Sequence, residues 1–569
     1  MKKSYIVLSL CLAALWCSGA GAQELHIVTT GDVHGSYFNR PYVGEKYRPS
    51  LMAVKSYTDS LRAAVGPENV LLLDAGDCLQ GDNASYYFNY VDTEAPHIYP
   101  RLVEYMGYDA CTVGNHDIEA GHPVYDRVHA EMRAKGIPWL AGNALSDDGG
   151  LYFDEYALIE KGGRRILVAG YNNANIQGWL SPELWSGTRY ISLVPYVRKR
   201  VRKLRRELKP DVVVVVVHSG TGDGDGKSIE SQGLDIFKRI RGVDVVVTAH
   251  DHRPVCIDGR RKCLVNGGAR CSNIGHAVLS FNKRGRVVSR HAEVVRTDKM
   301  KVDEEMVRLF DPEFQAVKAF TVQPVGNLEL PLHTRDAYSG MCPYIDLLHT
   351  VQLAASGADV SIAAPLTFDG SVAAGQLVYN DMFTIYPYEN QLFVLSLTGR
   401  EIKDLLEYSY DRWICTPGEH VLQITENPDP RTGAARWSFV NRSYNFDSAA
   451  GIDYTVDVTR PAGSRVSITS FADGSAFDEQ ATYSVAMTSY RANGGGSLLT
   501  EGCGIPHEQL IGRVTARYPE IRDLIYKFIK SHDSVGPSLF CDRAVLGSWR
   551  FVPEQLVEPL MQKDIDLVF

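Results

Sequence analysis

The sequence predicts an α/β first half joined to an α+β second half, and three observations carry that prediction. From Glu24 to about Val295, valine-rich strand-like runs alternate with helical patterns. From about residue 326 to 550, strand and helix patterns mix without that alternation. Between the halves lies a charged helical stretch, Glu304 to Phe320, which Pro324 stops. With 569 residues, 45% hydrophobic and 22% charged, the chain is neither collagen-like, nor a coiled coil, nor wholly disordered. Its length predicts about two to four domains. The net charge of -9 argues against a nucleic-acid polymer as partner. A small anionic substrate would need a local source of positive charge.

Taken in order, the first element is a leader. Lys2 and Lys3 precede an apolar run from Tyr5 to Trp16, and Ala20-Gly21-Ala22 fits a cleavage site before Gln23. This predicts a signal peptide over 1–22 and an exported protein, periplasmic or secreted. The run is shorter than the ~20 apolar residues of a spanning helix, and Trp16 before Cys17 does not suit a lipoprotein site. No later run approaches membrane length. Nine cysteines remain after the leader, too scattered for a disulfide framework. Cys256, Cys263 and Cys271 are close enough in sequence to allow one bridge.

The expected strands of the first half are Leu25–Val28, Val70–Leu73, Cys111–Val113, Ile166–Ala169, Val212–Val217 and Val243–Val247. Runs apolar on both faces suit a sheet covered on both sides. Helical patterns fill the intervals at Leu51–Val65 and Val194–Leu208, the latter with a solvated Lys/Arg face. In the second half, Tyr344–Ser356 and Arg400–Tyr410 read as helices, and Leu392–Leu397, Val466–Ser470 and Thr482–Met487 as strands.

The ends of the first-half strands carry the chemistry. Five of the six run into Asp, Asn or His. These ends are Asp32-Val33-His34, Asp74-Ala75-Gly76-Asp77, Gly114-Asn115-His116-Asp117, His218, and His250-Asp251-His252. Only the run ending at Gly170 lacks such a cluster. Ligands of open α/β sheets bind at the carboxyl ends of strands, so five strands deliver these groups to one rim. Carboxylates, imidazoles and one amide suit Zn, Mn, Fe or Co rather than Cu(I). The set exceeds what one metal takes from protein. Two metals sharing a bridging carboxylate use it economically, clamp both oxygens of a phosphoryl displacement, and supply the missing positive charge. Each signal alone has a structural reading, such as Asp77 capping a helix or His218 filling a core. All five together, in this order, do not.

Asp-x-His, Gly-Asp, Gly-Asn-His-Asp, His and His-x-His in this order resemble the calcineurin-like metallophosphoesterases. The second half resembles the carboxyl-terminal domain of the 5'-nucleotidase family, through Tyr386-Pro387-Tyr388-Glu389-Asn390, Leu397-Thr398-Gly399-Arg400 and Ala492-Asn493-Gly494-Gly495. Tyr444-Asn445-Phe446-Asp447 and Gly451-Ile452-Asp453-Tyr454 look closest to its 2',3'-cyclic-nucleotide 2'-phosphodiesterase/3'-nucleotidase branch. The resemblance implies a four-layer α/β/β/α domain over 23–295, a connecting helix over 296–325, an α+β substrate domain over 326–550 and a tail over 551–569.

It also implies roles. Asp32, His34 and His252 would hold a first divalent ion and Asn115, His218 and His250 a second, with Asp77 bridging; Zn, Mn or Co would all serve. His116 would stabilise the phosphoryl group or protonate the leaving oxygen, oriented by Glu119. Asp117 would cap the following helix. Phe446 and Tyr490 would sandwich the base, with Arg335 and Asn390 as further substrate contacts. Where many 5'-nucleotidases place a substrate-binding arginine, this chain has Asp369, which would repel a phosphate. The acid that often follows Asn-Gly-Gly is Gly496 here. The implied activity is attack of a metal-held hydroxide on 2',3'-cyclic nucleotides and nucleoside 3'-monophosphates. A 5'-nucleotidase or UDP-sugar pyrophosphatase on the same scaffold, and a nonenzymatic binding protein, are the alternatives.

Overall fold

The computed structural model describes residues 23–569, apart from residue 45 and residues 429–434. The expected leader, 1–22, lies outside the described residues. Two six-stranded sheets build the first domain. One runs in the order Val287–Arg296, Asn273–Phe281, Gln23–Thr30, Val70–Asp74, Ala110–Thr112, Trp139–Leu140. The other runs Pro254–Asp258, Cys263–Gly267, Val245–Thr248, Val212–Val217, Arg164–Tyr171, Tyr156–Lys161. The centres of both sheets are parallel.

The valine runs explain the layering. Along Val212–Val217, side chains alternate between faces. Val212, Val214 and Val216 join Ile27, Leu71, Leu73, Val245 and Val247 in the core between the sheets. Val213, Val215 and Val217 face outward onto Val197, Val201 and Leu204 of helix Leu193–Leu208. That helix turns its apolar stripe inward and leaves Arg198, Lys199, Arg202 and Lys203 in solvent. On the outer face of the other sheet, helices Leu51–Val65, Ile98–Met106 and His122–Ala134 cover the largest core. The result is the four-layer α/β/β/α arrangement.

The charged connection is two helices, Glu304–Leu309 and Asp311–Thr321, whose Met306, Phe310, Phe314 and Val317 pack into the first domain. Pro324 then begins a strand. The second domain centres on a five-stranded sheet in the order Ser448–Ala450, Val360–Ala363, Thr482–Thr488, Gln391–Thr398, Val514–Glu520. Helix Gly399–Trp413 covers one face with Ile402, Leu405 and Trp413. Helix Pro343–Ser356 covers the other with Ile345, Leu347 and Leu348.

Two expectations need correction here. Residues 551–569 are not a loose tail: strand Trp549–Val552 pairs with Ile452–Asp457, and helix Glu554–Val568 buries Val557, Met561 and Ile565 in the second core. No bridge joins Cys256, Cys263 and Cys271, all of which are free thiols. Cys256 and Cys263 lie on paired strands, but the register sets them opposite Val265 and Asp258. Among the described residues no helix is long and apolar enough to cross a membrane.

Candidate functional site

The carboxyl ends of five first-domain strands meet at one rim, and there the polar residues collect. Asp32, His34 and His252 bring one ligand atom each to within 4.8 Å of one another, and Asp77, His218 and His250 do the same beside them. His34 Nε2 and His252 Nε2 are 3.0 Å apart. Asn115 Oδ1 is 3.0 Å from His218 Nε2 and 2.8 Å from His250 Nδ1. The outer ring nitrogens are anchored on carbonyls: His218 Nδ1 at 2.8 Å from Ala75 O and His34 Nδ1 at 3.1 Å from Gln80 O. Donating there leaves each Nε2 as a lone pair facing the cluster.

The backbone pays for this convergence. Asp32, His34, Asp77, His250 and His252 are five of the nine non-glycine residues with positive φ among the described residues. Each such conformation costs on the order of 1–3 kcal/mol. Glycines make the close approach possible: a methyl group on Gly114 would stand 2.1 Å from Asp77 Oδ1, and one on Gly76, at φ 99°, 2.8 Å from His218 Nδ1.

The donor set fits divalent cations on its own chemistry. Asp77 Oδ2 is buried and accepts no hydrogen bond among the described residues; His218 Nε2, 3.0 Å away, is itself a metal-type donor. An unsatisfied carboxylate oxygen beside converging imidazoles is costly unless a cation completes it. Burial lowers His250 to about 3 and His252 to about 4, and lowers His34 strongly, so these rings are neutral and ready to ligate. His218 rises to about 9, because Asp77 and Asp32 outweigh its burial, so without a cation its Nε2 holds a proton toward Asp77, and a cation would take that proton's place. The two triads are the candidate places for divalent ions.

His116 stands next to the cluster, its ring 5.4 Å edge-on from that of His34. Burial works against its charge, but Asp77 and then Glu119 raise it to about 10. Glu119 hydrogen-bonds His116 Nδ1 and fixes the ring.

Asp117 closes the capping box of helix Asn115–Glu119 by accepting from Gly114 N–H, and it does more than cap. Its carboxylate accepts four backbone N–H groups: Gly114 at 2.7 Å and Asp77 at 3.0 Å on Oδ2, Cys78 at 2.8 Å and Leu79 at 3.0 Å on Oδ1. It ties the Asp77 loop to the Asn115 turn. Sequence reasoning also missed Asn172 and Asn143. The strand expected to end at Gly170 continues to Tyr171 and delivers Asn172, whose side chain donates to Gly114 O at 3.1 Å. Asn143 clasps Asn172 through both its N–H and C=O. Trp179 stacks on His250 at 5.1 Å between centroids.

A cavity of about 650 Å³ opens from the cluster into the second domain, with His116 and His252 on one side and Tyr388, Asn390, Tyr444 and Tyr490 on the other. The pairing of Phe446 with Tyr490 does not hold. Phe446 is fully buried and stacks on Trp413 at 5.3 Å and 5°. Two residues earlier, Tyr444 reaches the cavity instead. Arg491 holds the two tyrosine loops together, through Asp447 at 2.7 Å and Tyr444 O at 3.1 Å. Gly496 is required beside it: at φ 71°, a methyl there would stand 2.2 Å from Arg491 Nη1. Arg335 is not a cavity residue. It forms a two-pronged pair with Asp369, Nε at 3.0 Å and Nη2 at 2.8 Å from Oδ1, which neutralises the acid expected to repel phosphate.

Comparison with known proteins agrees with this architecture. Residues 25–254 match the family described as calcineurin-like phosphoesterase, and residues 324–501 the 5'-nucleotidase C-terminal domain. The 2',3'-cyclic-nucleotide 2'-phosphodiesterase/3'-nucleotidase of Salmonella typhimurium is 23% identical over 84% of this chain and 82% of its own. A 5'-nucleotidase of Vibrio cholerae is 23% identical over 71% and 81%. A crystal structure from Staphylococcus aureus, provisionally assigned as a 5'-nucleotidase, has a TM-score of 0.76 at 20% identity, covering 93% of this chain and 99% of its own.

Proposed function

We propose that this chain, which joins a calcineurin-like phosphoesterase domain to a 5'-nucleotidase C-terminal domain, is an exported hydrolase of 2',3'-cyclic nucleotides and nucleoside 3'-monophosphates. One observation carries the reading: the Asp/His/Asn cluster opens directly into a cavity lined by four tyrosines. In this reading residues 1–22 direct export. Asp32, His34 and His252 would hold one divalent ion, Asn115, His218 and His250 another, with Asp77 shared. Zn, Mn and Co all accept these donors. Such ions, when bound, lower the pKa of water and offset phosphoryl charge.

The chain's own residues do the rest. His116, held by Glu119, faces the cluster and delivers a proton toward the departing ribose oxygen. Tyr444 and Tyr490 offer π faces to the base, worth about 1–3 kcal/mol each and indifferent to base identity. Asn390 lines the same cavity and would meet the ribose. Asn493 Nδ2 donates to Trp179 O at 2.6 Å, so the second domain touches the loop that supports His250.

The test is a substrate panel after loading with Mn or Zn. The reading expects 2',3'-cyclic AMP and 3'-AMP to be turned over faster than 5'-AMP or UDP-glucose. Faster turnover of the 5' substrates favours the 5'-nucleotidase alternative, to which the Vibrio cholerae relative is named. No turnover of any of them, from folded and metal-loaded protein, removes the enzyme reading. His116→Ala should keep its metal content and lose about 10²–10⁴-fold in rate.

A further inference from the structure

Two arginines of the second domain near this site are already committed. Arg491 is paired with Asp447 and Arg522 with Glu389. Arg270, from the first domain, is not. It follows strand Cys263–Gly267, and its backbone N–H donates to the carbonyl of Asp32 at 2.8 Å, which ties it to the metal-type cluster. Among the described residues its guanidinium has no carboxylate within ion-pair distance, and its hydrogen bond runs from Nη1 to Gly81 O at 3.1 Å. A guanidinium has five N–H donors, so most of the fork is unspent.

The position of that fork is set by Gly81. A methyl group there would stand 3.3 Å from His34 Nδ1 and 3.4 Å from Arg270 Nη2, so the imidazole and the guanidinium flank the same glycine. Arg270 and Cys271 both sit in the left-handed region, at φ 53° and 52°. Two consecutive non-glycine residues adopt that conformation only where the surroundings impose it. Arg270 is exposed. An unpaired, exposed guanidinium beside a His/Asp cluster is a ready anion contact.

We propose that Arg270 is a phosphate-binding residue that favours phosphomonoesters over phosphodiesters. A monoester dianion has three non-bridging oxygens. Two can face the Asp/His/Asn cluster while the third meets the fork of Arg270. A diester has two and one negative charge, so it leaves little for Arg270 to bind. Arg270 therefore weights the nucleoside 3'-monophosphate step over the cyclic-diester step. This inference rests on the phosphohydrolase reading above.

The test compares wild type with Arg270→Asn and Arg270→Lys, on p-nitrophenyl phosphate and bis(p-nitrophenyl) phosphate. Asn is chosen because it tolerates positive φ, and Lys because it keeps the charge without the fork. Arg270→Asn should lower kcat/KM for the monoester roughly 10- to 100-fold and for the diester by less than about 3-fold, with metal content unchanged. Affinity for inorganic phosphate, read by calorimetry, should fall by a factor like that for the monoester, and Arg270→Lys should lie between. An equal loss on both esters, or loss of metal, makes Arg270 merely structural and overturns the proposal. If metal-loaded wild type cleaves neither ester, the phosphohydrolase reading falls by itself. Calorimetry with inorganic phosphate then decides Arg270 alone, and equal binding by wild type and Arg270→Asn overturns it.

Discussion

Asp117→Asn is the substitution for which the structure gives the most definite arithmetic. The native carboxylate accepts four backbone N–H groups, two on each oxygen. An amide keeps one oxygen and turns an NH2 group toward the other two donors. Two charge-assisted hydrogen bonds are lost, at about 1.5–3 kcal/mol each. The buried NH2 facing N–H groups adds about 1–3 kcal/mol. Against this stands relief of a buried charge: burial first, then Asp77, raises Asp117 to about 6 from 3.8 even with those hydrogen bonds made, so the neutral amide recovers part of the loss. The net is a destabilisation on the order of a few kcal/mol. It falls on the loop that holds Asp77 at φ 61° and on the turn that presents Asn115. Metal affinity should therefore drop by about 10- to 100-fold. The assay is competition with a calibrated chelator for Zn or Mn, alongside thermal unfolding of the metal-free protein. If the variant keeps wild-type metal affinity and unfolds at the wild-type temperature, the claim that Asp117 shapes the cluster is wrong.

Asp77→Asn removes the unsatisfied oxygen offered to both triads, so metal titration should show both sites weakened together; loss of a single site would dismiss the shared role. Tyr444→Ala should raise KM for nucleotides about 5- to 100-fold while leaving p-nitrophenyl phosphate untouched, whereas Phe446→Ala should lower stability by about 3–5 kcal/mol in denaturant titration. Equal effects of the two on nucleotide KM would contradict the placement of the rings. At the domain junction, burial, then the Arg522 and Glu119 charges, leave Glu389 at about 7, and burial with Glu389 leaves Glu520 at about 8, both above the ordinary 4.5. The folded state then holds protons that the unfolded state releases, so stability is full below pH ~4.5 and declines as pH rises toward 8. Thermal unfolding from pH 5 to 9 should show that decline, and Glu520→Gln should flatten it; an unchanged slope would show that the junction carboxylates do not cause it.

What could be read in the chain, and what could not, follows from how the site is made. Strands such as Val212–Val217 announce themselves because both their faces are buried, and a polar residue at the end of such a run has few places to go except the rim. That logic finds Asp32, Asp77, Asn115, His218 and His250 without any structure. It fails where a strand end is misjudged by one residue, as at Gly170, where Asn172 was hidden behind Tyr171. It fails again for Asp117, whose partners Asp77, Cys78 and Leu79 are 38 to 40 positions away and offer only backbone. The tyrosine end shows a different limit. Phe446 and Tyr444 differ by two positions, yet the turn Ser443–Asn445, which contains Tyr444, sends Phe446 into the core and leaves Tyr444 at the cavity. A short 3-10 turn breaks the alternation that would put residues two apart on the same face. Side chains that meet through long-range backbone contacts, or whose direction depends on one turn, carry no periodic signal. Arg270 belongs with them: nothing in Gly267-Gly268-Ala269-Arg270-Cys271 marks it until the fold sets its guanidinium against Gly81, beside His34 and without an acid to hold it.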